Sequence, residues 1–550
     1  MPEKKLDLII VNPSTNKEVY QELSKDAALE PPFLAALTAG YIRDKGFSVD
    51  LLDANVYGLT QEKTAEMIKQ SNPKLIAIIC HGHQPSASSQ LMGAIGKLCK
   101  EIKKISDIPI FLSGIHPSSL PERTLREEEC DFVARGEMYK TLSGLLENLD
   151  SKSYDKVLGL CYLDKKNKFI ANKAAPLINN LDEELGNVAW DLLPSFEKYR
   201  AHNWHVFGEN LERSPYGALY TSLGCPFRCS FCCINAEFKA SIADNKDAES
   251  FEHSKNKTDD DRLKEINNAI PRIRYWSPDT IIKHLDYMAK KGVKNIKIID
   301  EMFVLSKVHV EGICDKIIER GYNFNFWAYA RIDTIKDINL LKKMKQAGIN
   351  WLALGIESAD KSVRDGADKK FTNEDIVKHV KQVQDVGINV IGNYMVGLRH
   401  DTPETMKKTF EMAKALKTEW FNVYATMVYP GAPDYTWARS RGMKIPGDSD
   451  APGGWTAYSH HSWYALPLAG EYVSSEEALK TRDDFYQGVI SDPEYLKFLE
   501  KKFGSKIAEY VKSKIGKRIK RRILGDSMPE DIAATIADNP KSTLKLKVIN

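Results

Sequence analysis

Short apolar runs alternate with helix-length amphipathic stretches over the first 150 residues. Leu6–Val11, Ser48–Leu52, Leu75–Cys80, Ile108–Leu112 and Asp131–Ala134 are strand-sized and largely β-branched. Between them Pro32–Lys45, Thr60–Gln70, Ser86–Lys104 and the stretch around Glu122–Glu129 have helical length. Apolar runs separated by helices predict a parallel sheet covered on both sides, because each crossover helix packs on one face. Residues 1–150 are therefore expected to form a doubly wound, Rossmann-like α/β domain. Ligands of such sheets sit beyond the carboxyl ends of the strands. That position holds Asn12-Pro13-Ser14-Thr15, His81-Gly82-His83-Gln84-Pro85, Ser113-Gly114-Ile115-His116-Pro117 and Arg135-Gly136-Glu137.

Residues 151–210 break the rhythm with Lys-rich strand-like pieces and the run Trp190-Asp191-Leu192-Leu193-Pro194, and read as a connector. In residues 211–440 the alternation resumes: Ala218–Leu223, Ile296–Ile299, Asn325–Ala330, Trp351–Ile356, Val390–Val396 and Phe421–Met427 are apolar, with amphipathic stretches such as Ser277–Lys291, Lys307–Arg320, Asn339–Ala347 and Asn373–Val386 between them. Six strand–helix repeats predict a partial (β/α)6 barrel, short of the eight units of a closed one. The polar stretch Asn245–Asn268, with Asp259-Asp260-Asp261, reads as a loop rather than a metal site. Residues 441–550 are expected to be mainly helical after an aromatic patch in which Trp455, Tyr458, Trp463 and Tyr464 could wall a site or pack a core. Lys512–Arg522 carries seven basic residues and reads as a solvated amphipathic helix.

Composition narrows the function classes. A chain of 550 residues, 43% hydrophobic and 28% charged, builds substantial cores, and a net charge of +3 gives no chain-wide reason to bind nucleic acid. The longest N-terminal apolar run, Leu6–Val11, is too short for a signal peptide. No stretch of about 18 apolar residues predicts a membrane span, so a cytoplasmic protein is expected. Nine cysteines are too dilute for a disulfide scaffold, yet four lie within Cys225–Cys233.

The chemistry concentrates there. Cys225, Cys229 and Cys232 follow the first barrel strand at C-x3-C-x2-C, in a loop short enough to wrap one compact inorganic cluster. Structural zinc uses four ligands in paired units, and no second C-x2-C or H-x3-H pair occurs. Three thiolates on a [4Fe–4S] cluster leave one iron open to a small molecule. Cys233 offers C-x3-C-x3-C as an alternative spacing.

Cys225, Cys229, Phe231 and Cys232 resemble the CxxxCxxC signature of the radical S-adenosylmethionine (SAM) superfamily, in which an aromatic residue precedes the third cysteine. The resemblance implies that Cys225, Cys229 and Cys232 hold a [4Fe–4S] cluster whose open iron chelates the amino and carboxylate groups of SAM. It places Phe231 beside the adenine. Asp300-Glu301-Met302-Phe303, Ala330-Arg331-Ile332-Asp333, Gly355-Ile356-Glu357-Ser358 and Gly392–Gly397 end successive strands. Glu301, Arg331, Glu357, Ser358 and Gly397 are therefore the candidate SAM contacts. Gly397-Leu398-Arg399-His400 departs from the family's usual Gly-Leu-Pro-Gly.

The domain before the barrel resembles the cobalamin-binding domain of the cobalamin-dependent radical SAM subclass, on Ser113-Gly114-Ile115-His116-Pro117, Pro121-Glu122, Gly136-Glu137 and Trp190-Asp191-Leu192-Leu193-Pro194. Asn12, Ser113, Gly114, His116, Gly136 and Glu137 are the implied cobalamin contacts. The fingerprint Asp-x-His-x-x-Gly is missing after the first strand, so the resemblance favours cobalt with no histidine below it, His81 and His83 being hydrogen-bonded or surface residues. The implied activity is C-methylation at an unactivated carbon by a 5′-deoxyadenosyl radical and methylcobalamin, on a small-molecule or biosynthetic-intermediate substrate, with flavodoxin or ferredoxin as electron donor. Two alternatives stand beside it: a cobalamin-using radical cyclase or rearrangement enzyme, and a non-catalytic iron–sulfur or cobalamin sensor. The sequence assigns no catalytic residue.

Overall fold

The computed structural model describes residues 6–82, 85–208, 211–238, 258–515 and 518–530. Its first sheet has seven strands: β1 (Leu8–Asn12), β2 (Val49–Asp53), β3 (Leu75–Ile79), β4 (Ile110–Ser113), β5 (Phe132–Ala134), β6 (Leu160–Leu163) and β7 (Phe169–Ala171), in the order β2-β1-β3-β4-β5-β6-β7. The first five are parallel, with β3 and β4 buried throughout their length. The order reverses between β1 and β3, which is where doubly wound sheets open a crevice. β6 and β7 run antiparallel at one edge. They are the Lys-rich pieces read as part of the connector; each is buried at its start and half-buried toward its end, as at the edge of a sheet.

The second unit is a six-stranded, wholly parallel sheet ordered β15-β14-β13-β12-β11-β8, built from β8 (Tyr216–Leu219), β11 (Asn295–Ile298), β12 (Asn325–Arg331), β13 (Ile349–Glu357), β14 (Asn389–Val396) and β15 (Trp420–Ala425). This is the expected partial barrel, and β8 and β15 are its open edges. Between β8 and β11 the chain adds an antiparallel ribbon, β9 (Ser222–Gly224) and β10 (Ile273–Tyr275), which the apolar pattern did not announce. One apolar core runs through both units, and where they join Phe33 meets Trp190 and Trp276 edge to face and Tyr220 at a tilt. Helices Ser475–Ile490 and Pro493–Phe503 then close over β15.

Two expectations are corrected. In the Asn245–Asn268 stretch, Asp259–Asn268 is a helix capped by Thr258, and residues 245–257 lie outside the described residues. Its three aspartates occupy the first turn, where they oppose the helix dipole, and Asp259 also accepts the backbone N–H groups of Glu122 and Arg123 at 2.9 and 3.0 Å. The basic run Lys512–Arg522 is not one solvated helix. Val511–Ile515 is a π-helical turn, and Arg521 is fully buried on Asp483 at 2.9 Å, because its guanidinium finds a carboxylate inside the fold.

Candidate active site

The cysteine loop leaves β9 at Gly224, whose φ of 92° lets the chain turn sharply where a Cβ would strike the Arg272 carbonyl at 2.3 Å. Cys225 is buried, Cys229 and Cys232 are half-buried, and none is in a disulfide. Burial pushes the Cys225 thiol up to about 12 and raises Cys232 well above the ordinary range, and each feels the charge of Cys229. Thiols in such surroundings become thiolates only when a cation takes the proton's place, which is the chemistry of cluster ligation. No three His, Cys, Asp or Glu side chains among the described residues close on a single-ion position. Cys233 is fully buried in the core.

Three of the sequence-selected SAM candidates, Arg331, Glu301 and Glu357, lie around this loop, and a fourth, Phe231, belongs to it. Arg331, at the end of β12, lies 3.7 Å from Cys229 Sγ and over the Phe227 ring at 3.8 Å, with Asp333 bridging its Nε and Nη2 at 2.9 and 3.1 Å. Phe231 packs on Val363, Ala367, Met395 and Leu398, beside Gly397. Glu301 follows β11. Burial lifts its carboxyl to about 8, with Lys297 drawing it down and Asp300 adding to the rise, and its charge acts on Cys225, Cys232 and Cys233. Glu357 ends β13 at a φ of 63°, an unusual conformation for a non-glycine residue, where the β13–β14 register also shifts.

Its partner is a residue that pattern reading missed. Lys369 follows the helix Lys361–Gly366 and puts Nζ 2.8 Å from Glu357 Oε1, both side chains being 7% exposed. The turn that carries Lys369 is fixed by Arg364, fully buried and donating to the carbonyls of Ser358 and Phe371 at 2.5 and 3.0 Å. Ser358 itself turns to Thr409 at 3.2 Å, behind the site. Gly397 adopts a φ of 72° against Ala478.

At the β1/β3 switch point a cleft is lined by Asn12, Thr15, Asn16, His81 and Gly82 on one side and by Tyr220 and Ile299 on the other. Asn12 donates to Asp53 at 2.7 Å, and Tyr199 donates to the same carboxylate at 2.8 Å. His81 Nε2 lies 2.6 Å from Glu237 Oε2, on the helix Asn235–Phe238 just after the cysteine loop, while its buried Nδ1 has no hydrogen-bond partner. That orphaned nitrogen, together with polar loops from both units, fits a cleft completed by a polar ligand. His83 lies outside the described residues.

The other cobalamin candidates fall on the neighbouring loops. Ser113 ends β4, and Gly114 takes a φ of 131° where a Cβ would meet the Cys80 carbonyl at 2.6 Å. His116 is buried, bonded to Ser89 at 2.9 Å and set edge-on to Trp455 at 4.5 Å; burial and then Arg123 pull it down to about 3, so the ring is neutral. Gly136 N–H donates to Ser118 Oγ at 3.1 Å, and Glu137 pairs with Arg274 and accepts the Ile178 N–H at 3.1 Å.

A doubly wound domain facing a partial barrel, with three thiols at the barrel's mouth, defines an enzyme architecture that brings two cofactors to one interface. Residues 25–146 match the B12 binding domain and residues 219–413 match the Radical SAM superfamily. It is 26% identical over 448 residues to an uncharacterized methyltransferase of Pyrococcus horikoshii, covering 80% of this chain and 85% of that one. It is 25% identical to the anaerobic magnesium-protoporphyrin IX monomethyl ester cyclase of Rubrivivax gelatinosus over 70% of this chain, and the match spans 62% of that protein. Among solved structures, the radical SAM methyltransferase TsrM from Kitasatospora setae, with cobalamin and a [4Fe–4S] cluster bound, superposes with a TM-score of 0.62 at 16% identity over 90% of each chain. OxsB with aqua-cobalamin and SAM gives 0.62 at 16% identity over 92% of this chain and 72% of that one. At these identities the likeness is one of fold. Among the described residues no helix is long and apolar enough to cross a membrane.

Proposed function

We propose that this chain is a cobalamin-dependent radical SAM methyltransferase that methylates an unactivated carbon of a small-molecule or biosynthetic-intermediate substrate. The observation that carries the reading is the cysteine loop and the β1/β3 cleft meeting at one interface, joined by the His81–Glu237 contact. Cys225, Cys229 and Cys232 would hold the cluster, which when bound supplies the electron that cleaves SAM, while cobalamin supplies the methyl group. Phe231 offers an apolar wall for the adenine. Glu301, Arg331 and Glu357 supply carboxylate and guanidinium groups for the ammonium, carboxylate and hydroxyls of SAM. Gly397 and Ser358 shape the strand ends behind them.

Asn12, Ser113, Gly114, His116, Gly136 and Glu137 would frame the corrin from the first unit by backbone and packing. Asn12, His116 and Glu137 spend their polar atoms inside the protein, on Asp53, Ser89 and Arg274. Because the Asp-x-His-x-x-Gly fingerprint is missing after the first strand and Glu237 already engages Nε2 of His81, cobalt is read as lacking a protein histidine below. Electron paramagnetic resonance of the cobalt(II) protein should therefore show no nitrogen splitting. The reading brings with it a flavodoxin or ferredoxin as electron donor and the reducing cytoplasm, where clustered thiols persist.

The test is anaerobic reconstitution with iron, sulfide, cobalamin and SAM, followed by mass analysis against cell extracts. A product heavier by one CH₂ is expected. A product formed with SAM cleavage but without that gain would favour the cyclase reading that the Rubrivivax relative raises. Absence of SAM cleavage would leave only a sensor.

A further inference from the structure

Where the radical SAM family usually has Gly-Leu-Pro-Gly after this strand, β14 is followed by Gly397-Leu398-Arg399-His400. A proline would stiffen the loop by fixing its own φ and would offer no donor; an arginine leaves φ free and brings a guanidinium. That guanidinium reaches Asp434, with Nη2 2.7 Å from Oδ1, and lies over the Trp437 ring at 4.3 Å. Asp434 and Trp437 stand three residues apart on the helix Pro433–Ser440, so one helix face presents both. The Asp434 side chain is 1% exposed, deep enough to need a partner for its charge, whereas Arg399 at 28% sits at the rim.

Asp434 in turn grips the cysteine loop at two points. Its Oδ2 accepts the Ser230 hydroxyl at 2.9 Å, and its backbone N–H donates to the Ser230 carbonyl at 2.9 Å. Ser230 lies between Cys229 and Phe231, and Leu398, next to Arg399, packs on Phe231. Two consecutive residues of the β14 loop thus act on two consecutive residues of the cysteine loop, one by packing and one through Asp434. Both flanks are anchored: Glu471 N–H donates to the Arg399 carbonyl at 3.0 Å, and the Ser119 hydroxyl of the first unit donates to the Pro430 carbonyl at 3.0 Å, just ahead of the Asp434 helix. We propose that Arg399 is a positioning residue which, through Asp434, fixes Ser230 and so holds Phe231 at the adenine position before SAM arrives. The inference rests on the SAM reading above, with Phe231 as the adenine wall, and concerns only what orders that wall. A segment already ordered loses less freedom on binding, so the clasp strengthens the hold on the adenosine end of SAM and leaves its amino-acid end unaffected.

Equilibrium binding to the cluster-loaded enzyme tests it, with SAM, 5′-methylthioadenosine and L-methionine as probes. Arg399→Met should weaken SAM and 5′-methylthioadenosine by a common factor of about tenfold and L-methionine by less than about twofold. Arg399→Lys, which keeps a cation within reach of Asp434, should recover most of that loss. Hydrogen exchange across residues 226–232 of the ligand-free, cluster-loaded enzyme should quicken in Arg399→Met and return toward the parent in Arg399→Lys. Equal weakening of all three probes would mean a merely structural arginine and would overturn the proposal. So would unchanged affinities, or a loss of 5′-methylthioadenosine binding without quicker exchange. If Arg399→Met does not fold, Ser230→Ala decides. It keeps the Arg399–Asp434 pair and removes one of the two bonds to the cysteine loop, so it should weaken 5′-methylthioadenosine about threefold with L-methionine unchanged, and an unchanged 5′-methylthioadenosine affinity would overturn the clasp. A parent that binds no SAM sinks the functional reading as well; a parent that binds SAM with an indifferent Arg399 sinks only this one.

Discussion

Cys233 sits next to Cys232 yet differs from it in surroundings: it is wholly enclosed by core residues, whereas Cys229 and Cys232 keep partial exposure at the barrel mouth. Cys225→Ala, Cys229→Ala and Cys232→Ala are expected to lose SAM cleavage entirely, and Cys233→Ala to retain most of its iron. Iron and sulfide assays with cleavage kinetics check this, and the reverse pattern for Cys232 and Cys233 would refute the assignment. Asp53 gives a pH test. Burial lifts its carboxyl from 3.8 to about 6, against hydrogen bonds from Asn12 and Tyr199 that hold it down. The folded protein thus binds that proton more tightly than the unfolded chain, so ionisation costs stability as pH rises from about 4 to about 6. Above that window the full cost is about 3 kcal/mol. Asp53→Asn carries no such cost, so its urea midpoint relative to the parent should rise between pH 4 and pH 7; a constant difference would sink the argument. The three thiols proposed to hold the cluster stand out by spacing alone, because ligation needs a fixed reach along one loop. Lys369 was not legible: it stands in Asp368-Lys369-Lys370, indistinguishable from a surface pair until Arg364 folds the turn back onto β13.

Elements were legible where burial is two-sided and obscure where it is not. β3 and β4 are near-continuous apolar runs, and the structure places them within a residue or two of their sequence limits. β6, β7 and the β9–β10 ribbon are short, half-wet or antiparallel, and carry too few apolar residues to stand out. The helix Asp259–Asn268 was obscured for another reason: its acidic start reads as solvated coil, although acids belong in a first turn. At this scale Gly397 joins β14 to the C-terminal helices. Its φ of 72° disfavours any side chain, and a Cβ would come 2.7 Å from that of Ala478 on the helix Ser475–Ile490. Gly397→Ala is therefore expected to cost about 2–4 kcal/mol from left-handed strain and overpacking together. Gly397→Ala/Ala478→Gly should recover the overpacking part alone. Thermal melts of both proteins check this, and full recovery in the double variant would show that backbone strain contributes nothing.

The two units could in principle move independently, but buried charge ties them together. Glu137 closes the end of β5 in the first unit, Arg274 lies on β10 in the second, and the connector threads between them. Ile178 N–H donates to Glu137 Oε2 at 3.1 Å, and the Arg274 guanidinium donates both to the Ile178 carbonyl and to Glu137. The two side chains are 4% and 7% exposed, so neither charge can turn to water if its partner is lost. Arg274→Met should thus destabilise the protein by about 3–5 kcal/mol, as should Glu137→Leu, through an unpaired buried charge. The double variant Glu137→Leu/Arg274→Met buries no charge and should lose clearly less than the sum of the single changes. The single variants should also unfold in two steps, because a loosened clamp lets the first unit melt apart from the barrel, whereas the parent and the double variant unfold in one. Scanning calorimetry reads both quantities. Strict additivity, with one transition in every protein, would show that the shared apolar core around Phe33, Trp190 and Trp276 joins the units by itself and that the Glu137–Arg274 pair holds nothing between them.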